Sequence, residues 1–343
     1  MKKNQVTLKD IAQHLGVSVA TVSRALKDFP DIGEETKQAV KKLAEEWNYR
    51  PNTMAISLRK KKSKVIGVLV PEIVHHFFSS VISGIMDELE QHDYSVMLFQ
   101  TNESLHREIR DIDVLLNSRV DGLLISLSNE STSFEHILNA QRMGIPVVLF
   151  DKVTDQIDCS KVVVDDYEGA YAATKHLIEQ GCQRIAHIKG PEHPKNAKER
   201  LRGYVDALKA YNLPIDDSMI LACKQVVHEE GYAFTQHLLD MKSAPDGIFA
   251  ITDAVAIGAM VAIKERKLKI PNDVALVGFS NWRMAAVVEP SLTSVHQPGY
   301  EMGKEASKLL LGEIQQEKKE PQAYQRIVLK TNLVVRDSSV RHP

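Results

Sequence analysis

Residues 7–47 carry apolar side chains at the spacing of three short helices, whereas from Val65 onward short apolar runs alternate with longer amphipathic stretches. In the first segment, Leu8, Ile11, Ala12 and Leu15 share one face of a helix that opens on Thr7 and Asp10, a capping box. Gly16 supplies a turn, and Ser18 is an N-cap for a second helix over 19–26, which ends at the Asp-Phe-Pro-Asp stretch 28–31. A third helix over 34–47 repeats the stripe at Val40, Leu43, Ala44 and Trp47. The first two helices have the spacing of a helix-turn-helix, with small Ala12 at the crossing and Val22 packing back from the second helix. That spacing suits a nucleic-acid reader and a generic helical subdomain equally well. Thr21, Ser23 and Arg24 on the outer face of the second helix favour the reader, because they are donors for phosphates and base edges.

The later pattern predicts two series of strands. One runs through Val65–Val70, Ser95–Gln100, 122–126, Val147–Phe150 and 161–164, and the other through 184–189, 219–226, 247–251 and 274–279. Helical stretches such as 78–91, 167–180, 199–211 and 254–264 lie between them. This rhythm predicts parallel α/β structure in two Rossmann-like lobes with a cleft between. Ligands of such sheets bind beyond the carboxyl ends of the strands, so strand-end residues are the site candidates.

Charge changes the picture at one point. The 343 residues sum to −2, which argues against a nucleic-acid partner, but residues 1–64 hold 14 Lys and Arg against 7 Asp and Glu, while the rest holds 29 against 38. A basic head precedes an acidic body. The stretch Arg59-Lys60-Lys61-Lys62-Ser63-Lys64 is too polar for a core and reads as a solvated linker that adds five positive charges beside the head.

Other classes fall away. The charge-free run 73–86 is broken by His75, His76 and serines, and no stretch reaches the ~18 apolar residues of a membrane span. The N-terminus has no apolar signal region, so a cytoplasmic protein is expected. Cys159, Cys182 and Cys223 are odd in number and widely spaced, predicting reduced packing thiols rather than disulfides or zinc. No Walker A, GxSxG, HExxH or post-strand GxGxxG sequence occurs, and the His pairs lack metal-ligand spacing. No catalytic residue, metal site or cofactor is therefore expected. His75 and His76 are placed in a loop at the cleft mouth.

The stretches VTLKDIAQHLGVSVATVSRAL and NYRPNTMAISL resemble the N-terminal signature of the lactose/galactose repressor (LacI/GalR) family of bacterial transcription regulators. GIPVVLFD, VVVDDYEGAYAATKHL, RLRGYVDAL, TDAVAIGAM, IPNDVALVGF and PSLTSVHQP extend the resemblance over nearly the whole chain, to a body like the periplasmic sugar-binding proteins. The resemblance implies that Val19, Ala20 and Arg24 face base edges, and that Thr7, Ser18, Thr21 and Ser23 set the head on phosphates. It makes 52–59 a hinge helix that folds on DNA, with Asn52 at its start, Ala55 at the minor groove and Leu58 as a wedge; without it Leu58 reads as a packing residue. An apolar wedge unstacks a base step and bends the duplex, so Leu58→Ala should lose operator affinity while effector binding survives. Val19 and Ala20 cannot hydrogen-bond through their side chains, which leaves polar readout largely to Arg24 and suits them to thymine methyls.

For the body, the resemblance implies an effector cleft including Phe77, Asp151, Arg200, Asp253, Ser280 and Trp282. Carboxylates accept hydroxyls in pairs, Arg offers a donor fork, and aromatic rings stack on a sugar or base. Asp151 and Asp253 also suit helix or turn caps, and Arg200 also suits a solvated position in KNAKERLR. Two departures from the family pattern stand out: Ser280 occupies a position where many members have Asp, and Val226 one where several have an aromatic residue. Trp282 either replaces that stacking surface or covers the cleft edge.

The expected organisation is a head over 1–50, a hinge and linker over 51–64, and a core over 65–343. Within the core, lobe 1 takes 65–163 and 294–324 and lobe 2 takes 164–293 and 325–340. The implied function is a regulator, foremost a repressor, that binds a near-palindromic double-stranded operator as a homodimer and is switched by a small effector, a sugar or sugar derivative. A purine-type corepressor is the rival effector class, and a cytoplasmic sugar-binding protein with a structural head is the rival function. The tail after Leu333 has no leucine heptad, which predicts a dimer without a C-terminal tetramerisation coil.

Overall fold

The computed structural model describes residues 6–49, 62–74, 76–316 and 323–341. Asn52, Ala55, Leu58, His75 and residues 59–61 of the basic linker lie outside the described residues. The chain divides into two compact units, Met1–Ser63 and Lys64–Pro343.

In the first unit, α1 (Leu8–Leu15), α2 (Val19–Ala25) and α3 (Glu34–Glu46) enclose a core of Ile11, Ala12, Val22, Ala25, Val40, Leu43 and Ala44. Gly16 takes φ +63°, a left-handed turn that favours glycine, and reverses the chain between α1 and α2.

The second unit holds two six-stranded sheets. The first lobe begins with β1 (Val65–Val70), α4 (His76–Glu90), β2 (Ser95–Gln100), α5 (Leu105–Asn117), β3 (Gly122–Ile125), α6 (Glu135–Arg142), β4 (Val147–Phe150) and β5 (Ser160–Val164). The second follows with α7 (Asp166–Glu179), β6 (Ile185–Lys189), α8 (Lys195–Ala210), β7 (Ile220–Ala222), α9 (His228–Leu239), β8 (Gly247–Ala250), α10 (Asp253–Glu265), β9 (Ala275–Ser280) and β10 (Thr293–His296). The chain then returns to the first lobe for α11 (Gly299–Gln315) and β11 (Arg326–Leu329), and ends in the second with β12 (Asn332–Val334).

The strand order is β11-β5-β4-β3-β1-β2 in one sheet and β12-β10-β9-β8-β6-β7 in the other. Every pairing is parallel except β10 with β12. Parallel sheets are covered on both faces, which is why their strands read as unbroken apolar runs. Along β1, Ile66, Val68 and Val70 pack with the residues of α4 and α11, while Leu69 packs with those of α5 and α6. Along β8, Ile248 and Ala250 join the α10 side, while Phe249 joins Tyr204 and Leu208 of α8.

Strand pairing corrects the expected lobe divisions. Residues 294–296 belong to β10 and pair with β9, so the second crossing lies after His296 rather than at 293–294. Residues 326–329 pair with β5 in the first lobe, so the last crossing lies at 330–331 rather than at 324–325. Apolar pattern alone cannot tell which of two similar sheets a short strand joins. The expected run 219–226 shrinks to β7: Met219 closes a 3₁₀ turn, and the chain leaves the sheet after the Cys223 N–H bond to the Lys189 carbonyl.

Candidate functional site

The head presents a small, ordered face. Thr7 caps α1: its N–H and hydroxyl donate to Asp10 Oδ2 at 2.8 and 2.7 Å, and its Oγ1 accepts from the Asp10 N–H. These bonds hold the exposed Asp10 carboxyl below its ordinary range. Ser18 Oγ accepts from the Thr21 N–H at 3.0 Å and lies 2.8 Å from Thr21 Oγ1. Thr21 and Ser23 are half-buried rather than fully on the outer face, because Val22 and Ala25 between and beside them turn into the core. Val19, Ala20 and Arg24 stay exposed on one side of α2, and Val19, at 44% exposure, is a large apolar group kept in solvent. This surface can approach a groove closely and offers a single guanidinium for base edges.

In the body, strand-end residues gather where the chain crosses between lobes. Asp151 follows β4 at φ 56° and Ser280 ends β9 at φ 109°, two non-glycine residues in a region that L side chains rarely adopt. Such strain collects at binding sites, where the surrounding structure holds it in place. Asp151 lines a cavity of about 410 Å³ with Asp166, Tyr167, Lys195, Asn196 and Arg202 of the second lobe and Arg326 of the first. A neighbouring cavity of about 520 Å³, bounded by Ser128, Asn129, Lys152, His193 and Lys198, shares Val153, Lys195 and Glu199 with it. Burial pushes the Asp151 carboxyl up to about 7, opposed by Lys152.

Arg200 is buried, not solvated. Its Nε donates to Asp166 Oδ1 and its Nη1 to the Ile251 carbonyl, both at 2.8 Å, with the guanidinium 3.7 Å from the Phe279 ring centroid. Burial pushes the Asp166 carboxyl above its ordinary range while Arg200 pulls it down.

Asp253, the first residue of α10, has both carboxylate oxygens engaged: Oδ1 accepts from Ser294 Oγ at 2.5 Å and Oδ2 from the Trp282 N–H. It fastens the loop after β9, to which Arg336 also donates, at 2.7 Å onto Asn281 Oδ1. Ser280 Oγ donates to Gln297 Oε1 at 2.8 Å, joining β9 to the second crossing. Trp282 is half-buried at the start of the 3₁₀ turn Arg283–Ala286. Phe77, in the first turn of α4, is buried against Phe78 and beside Gly299. Thus Asp151 and Arg200 stand near one another with Asp166, and Asp253, Ser280 and Trp282 form one loop cluster. Phe77 belongs to the first-lobe core beside the second crossing.

Three positions escape the sequence reading. Asp166 is one. The others are Ser126, just past β3, and Gln297, just past β10: Ser126 Oγ and Gln297 Nε2 are buried with no hydrogen-bond partner among the described residues. A buried donor left unmade costs about 1–3 kcal/mol, and neither residue lines the two cavities described above. The signal available in the sequence was position: each residue stands at the end of a predicted or observed strand. Among the described residues, no group of three or more His, Cys, Asp and Glu could hold a metal ion. The three cysteines are buried free thiols.

Two family models cover the chain. Residues 7–52 match "Bacterial regulatory proteins, lacI family", and residues 63–330 match "Periplasmic binding proteins and sugar binding domain of LacI family". The ribose operon repressor of Halalkalibacterium halodurans is 34% identical over 333 residues, 97% of each chain. The Lac repressor dimer bound to operator and the anti-inducer ONPF superimposes with a TM-score of 0.85 at 25% identity, covering 98% of this chain and all of that one. A LacI family transcriptional regulator from Enterococcus faecium, with bound ribose, gives a TM-score of 0.70 at 31% identity over 80% of this chain and 98% of that one. With its helix-turn-helix head and two-lobed α/β body, the chain belongs to the lacI family of bacterial regulatory proteins.

Proposed function

We propose that the protein is a cytoplasmic transcriptional repressor that binds a near-palindromic operator as a dimer and is switched by a small sugar held between its lobes. It is not an enzyme in this reading. Residues 7–24 read DNA, and the second unit senses the effector. The observation that carries the sensing role is the cavity between the lobes, where Asp151 after β4 and Asp166 after β5 line the wall and the buried Arg200 is fixed on Asp166. Paired carboxylates and a fixed guanidinium match a ligand rich in hydroxyls. The similarity to a ribose operon repressor and to a ribose-bound regulator supports a sugar as the effector.

Closure of the lobes on a ligand would change the relation between the two heads of a dimer. That is coupling between two sites, worth typically ~1–3 kcal/mol and reciprocal. A thermal-shift screen of pentoses, hexoses, sugar phosphates and purines tests the effector class, because a ligand of the folded state raises the melting temperature. A sugar hit supports the reading; a purine hit with no sugar hit overturns it. Operator binding should weaken steeply with salt as counterions are released, and salt-independent binding would remove the DNA-reading role.

A further inference from the structure

The DNA-facing side of α2 has one guanidinium, and it is already held. Arg24 Nη2 lies 2.6 Å from Asp31 Oδ2, with the two side chains 49% and 47% exposed. The guanidinium carbon sits 5.2 Å from the centre of the Phe29 ring, which is itself exposed. The turn that carries Phe29 and Asp31 is braced. Phe29 N–H donates to the Arg24 carbonyl, Ile32 N–H to the Phe29 carbonyl, and Lys41 Nζ contacts Asp28 Oδ1 at 2.6 Å. Asp31 therefore meets Arg24 from a fixed direction.

An exposed carboxylate beside the reading face of a DNA-binding head opposes a polyanion, and the pair contributes little stability at such exposure. Its effect lies in what Arg24 can reach. A free arginine settles on any phosphate, which adds affinity without sequence information. An arginine lying along an aromatic ring, with one terminal nitrogen tied, points its remaining donors in a set direction and is poorly placed to follow the backbone.

We propose that Asp31, with Phe29, is a specificity-determining positioning residue: it orients Arg24 for a base edge and withholds it from phosphates. This rests on the DNA-reading role of α2 given above. The expected consequence of Asp31→Asn is tighter binding to random-sequence duplex and weaker discrimination at the base read by Arg24, by about five- to tenfold. The salt slope should steepen by about 0.9 for each phosphate that the released arginine takes up.

The test uses the full-length protein and duplexes that the wild type selects from a randomised library. Wild type, Asp31→Asn, Arg24→Ala, the double variant and Phe29→Leu are compared on that duplex and on every single-base variant of it. Loss of preference confined to the position that Arg24→Ala also loses, with no further loss in the double variant and a partial loss in Phe29→Leu, supports the proposal. Unchanged preference in Asp31→Asn overturns it. So does a uniform gain on all duplexes that persists in the Arg24→Ala background, since Asp31 would then act only as bulk charge. If the wild type selects no duplex at all, the DNA-reading role fails instead. Thermal melting of each variant separates these outcomes from loss of folding.

Discussion

Arg200 Nε meets Asp166 Oδ1 at 2.8 Å inside the cleft wall, and both residues are buried. The second nitrogen bond, to the Ile251 carbonyl, ties α8 to the end of β8. Truncating the arginine would leave a largely buried carboxylate without its counter-charge. Arg200→Met is therefore expected to cost about 3–5 kcal/mol in urea unfolding, and Arg200→Met with Asp166→Asn to recover part of it. Arg200→Lys keeps the charge but not the fork, so sugar affinity should fall more than stability.

Asp151 predicts a pH dependence. Its carboxyl ionises near 7 in the folded protein and near 3.8 when unfolded. Between those values the folded state holds a proton that the unfolded chain has lost. Its contribution to stability is thus fully present below about pH 4, declines as pH rises to 7 and is flat above. Asp253, also raised to about 7, acts with the same sign, whereas His187, pushed down to about 3 by burial, loses stability as pH falls below 6.5. The stability difference between wild type and Asp151→Asn isolates the first term: it should shrink steadily from pH 4 to 7 in denaturant titrations. Sugar binding that uses the ionised carboxylate should strengthen over the same range and release a proton near pH 7, which calorimetry in buffers of different ionisation enthalpy would detect.

Lys195 of the second lobe contacts Asp155 of the first, and Arg326 lies 3.4 Å from the same carboxylate. The Lys195 pair joins the two lobes and the Arg326 pair lies within the first, but Asp155 is 62% exposed. Asp155→Asn should change stability by less than about 1 kcal/mol. Its effect on sugar affinity should be no more than a few-fold at low salt and should vanish near ~0.5 M, as read by calorimetry at two ionic strengths.

Helix packing in the first lobe depends on Gly84. A Cβ there would lie 2.0 Å from the Tyr300 carbonyl oxygen, so α4 and α11 would have to separate. Gly84→Ala is expected to destabilise by about 2–3 kcal/mol or more in chemical unfolding. Gly312, on α11 with nothing within 4 Å of its Cβ, serves as the contrast: Gly312→Ala should gain about 0.5–1 kcal/mol.

Much of this protein is determined locally. The Thr7–Asp10 cap, the left-handed Gly16 and the Ser18 cap each depend on residues within a few positions, so the helix-turn-helix is legible from spacing alone. The continuous apolar runs likewise announce buried parallel strands, and strand ends are where a ligand is sought, although it is the family resemblance that names Asp151 and Ser280. Tertiary structure decided what pattern cannot encode. Strands β10 and β11 are four residues each, and only pairing assigns them to a sheet. Arg200 and Asp166 lie 34 positions apart, so their meeting depends on how α7 and α8 pack. Asp253 sits at a helix start where a cap and a ligand group look alike, and the groups that engage its two oxygens, in the loop after β9 and in β10, come from 29 and 41 residues further on. Short-range hydrogen bonds and periodicity are properties of the local chain; ion pairs across elements, unmade donors such as Ser126 Oγ and Gln297 Nε2, and shifted carboxyls arise only when distant segments exclude water together.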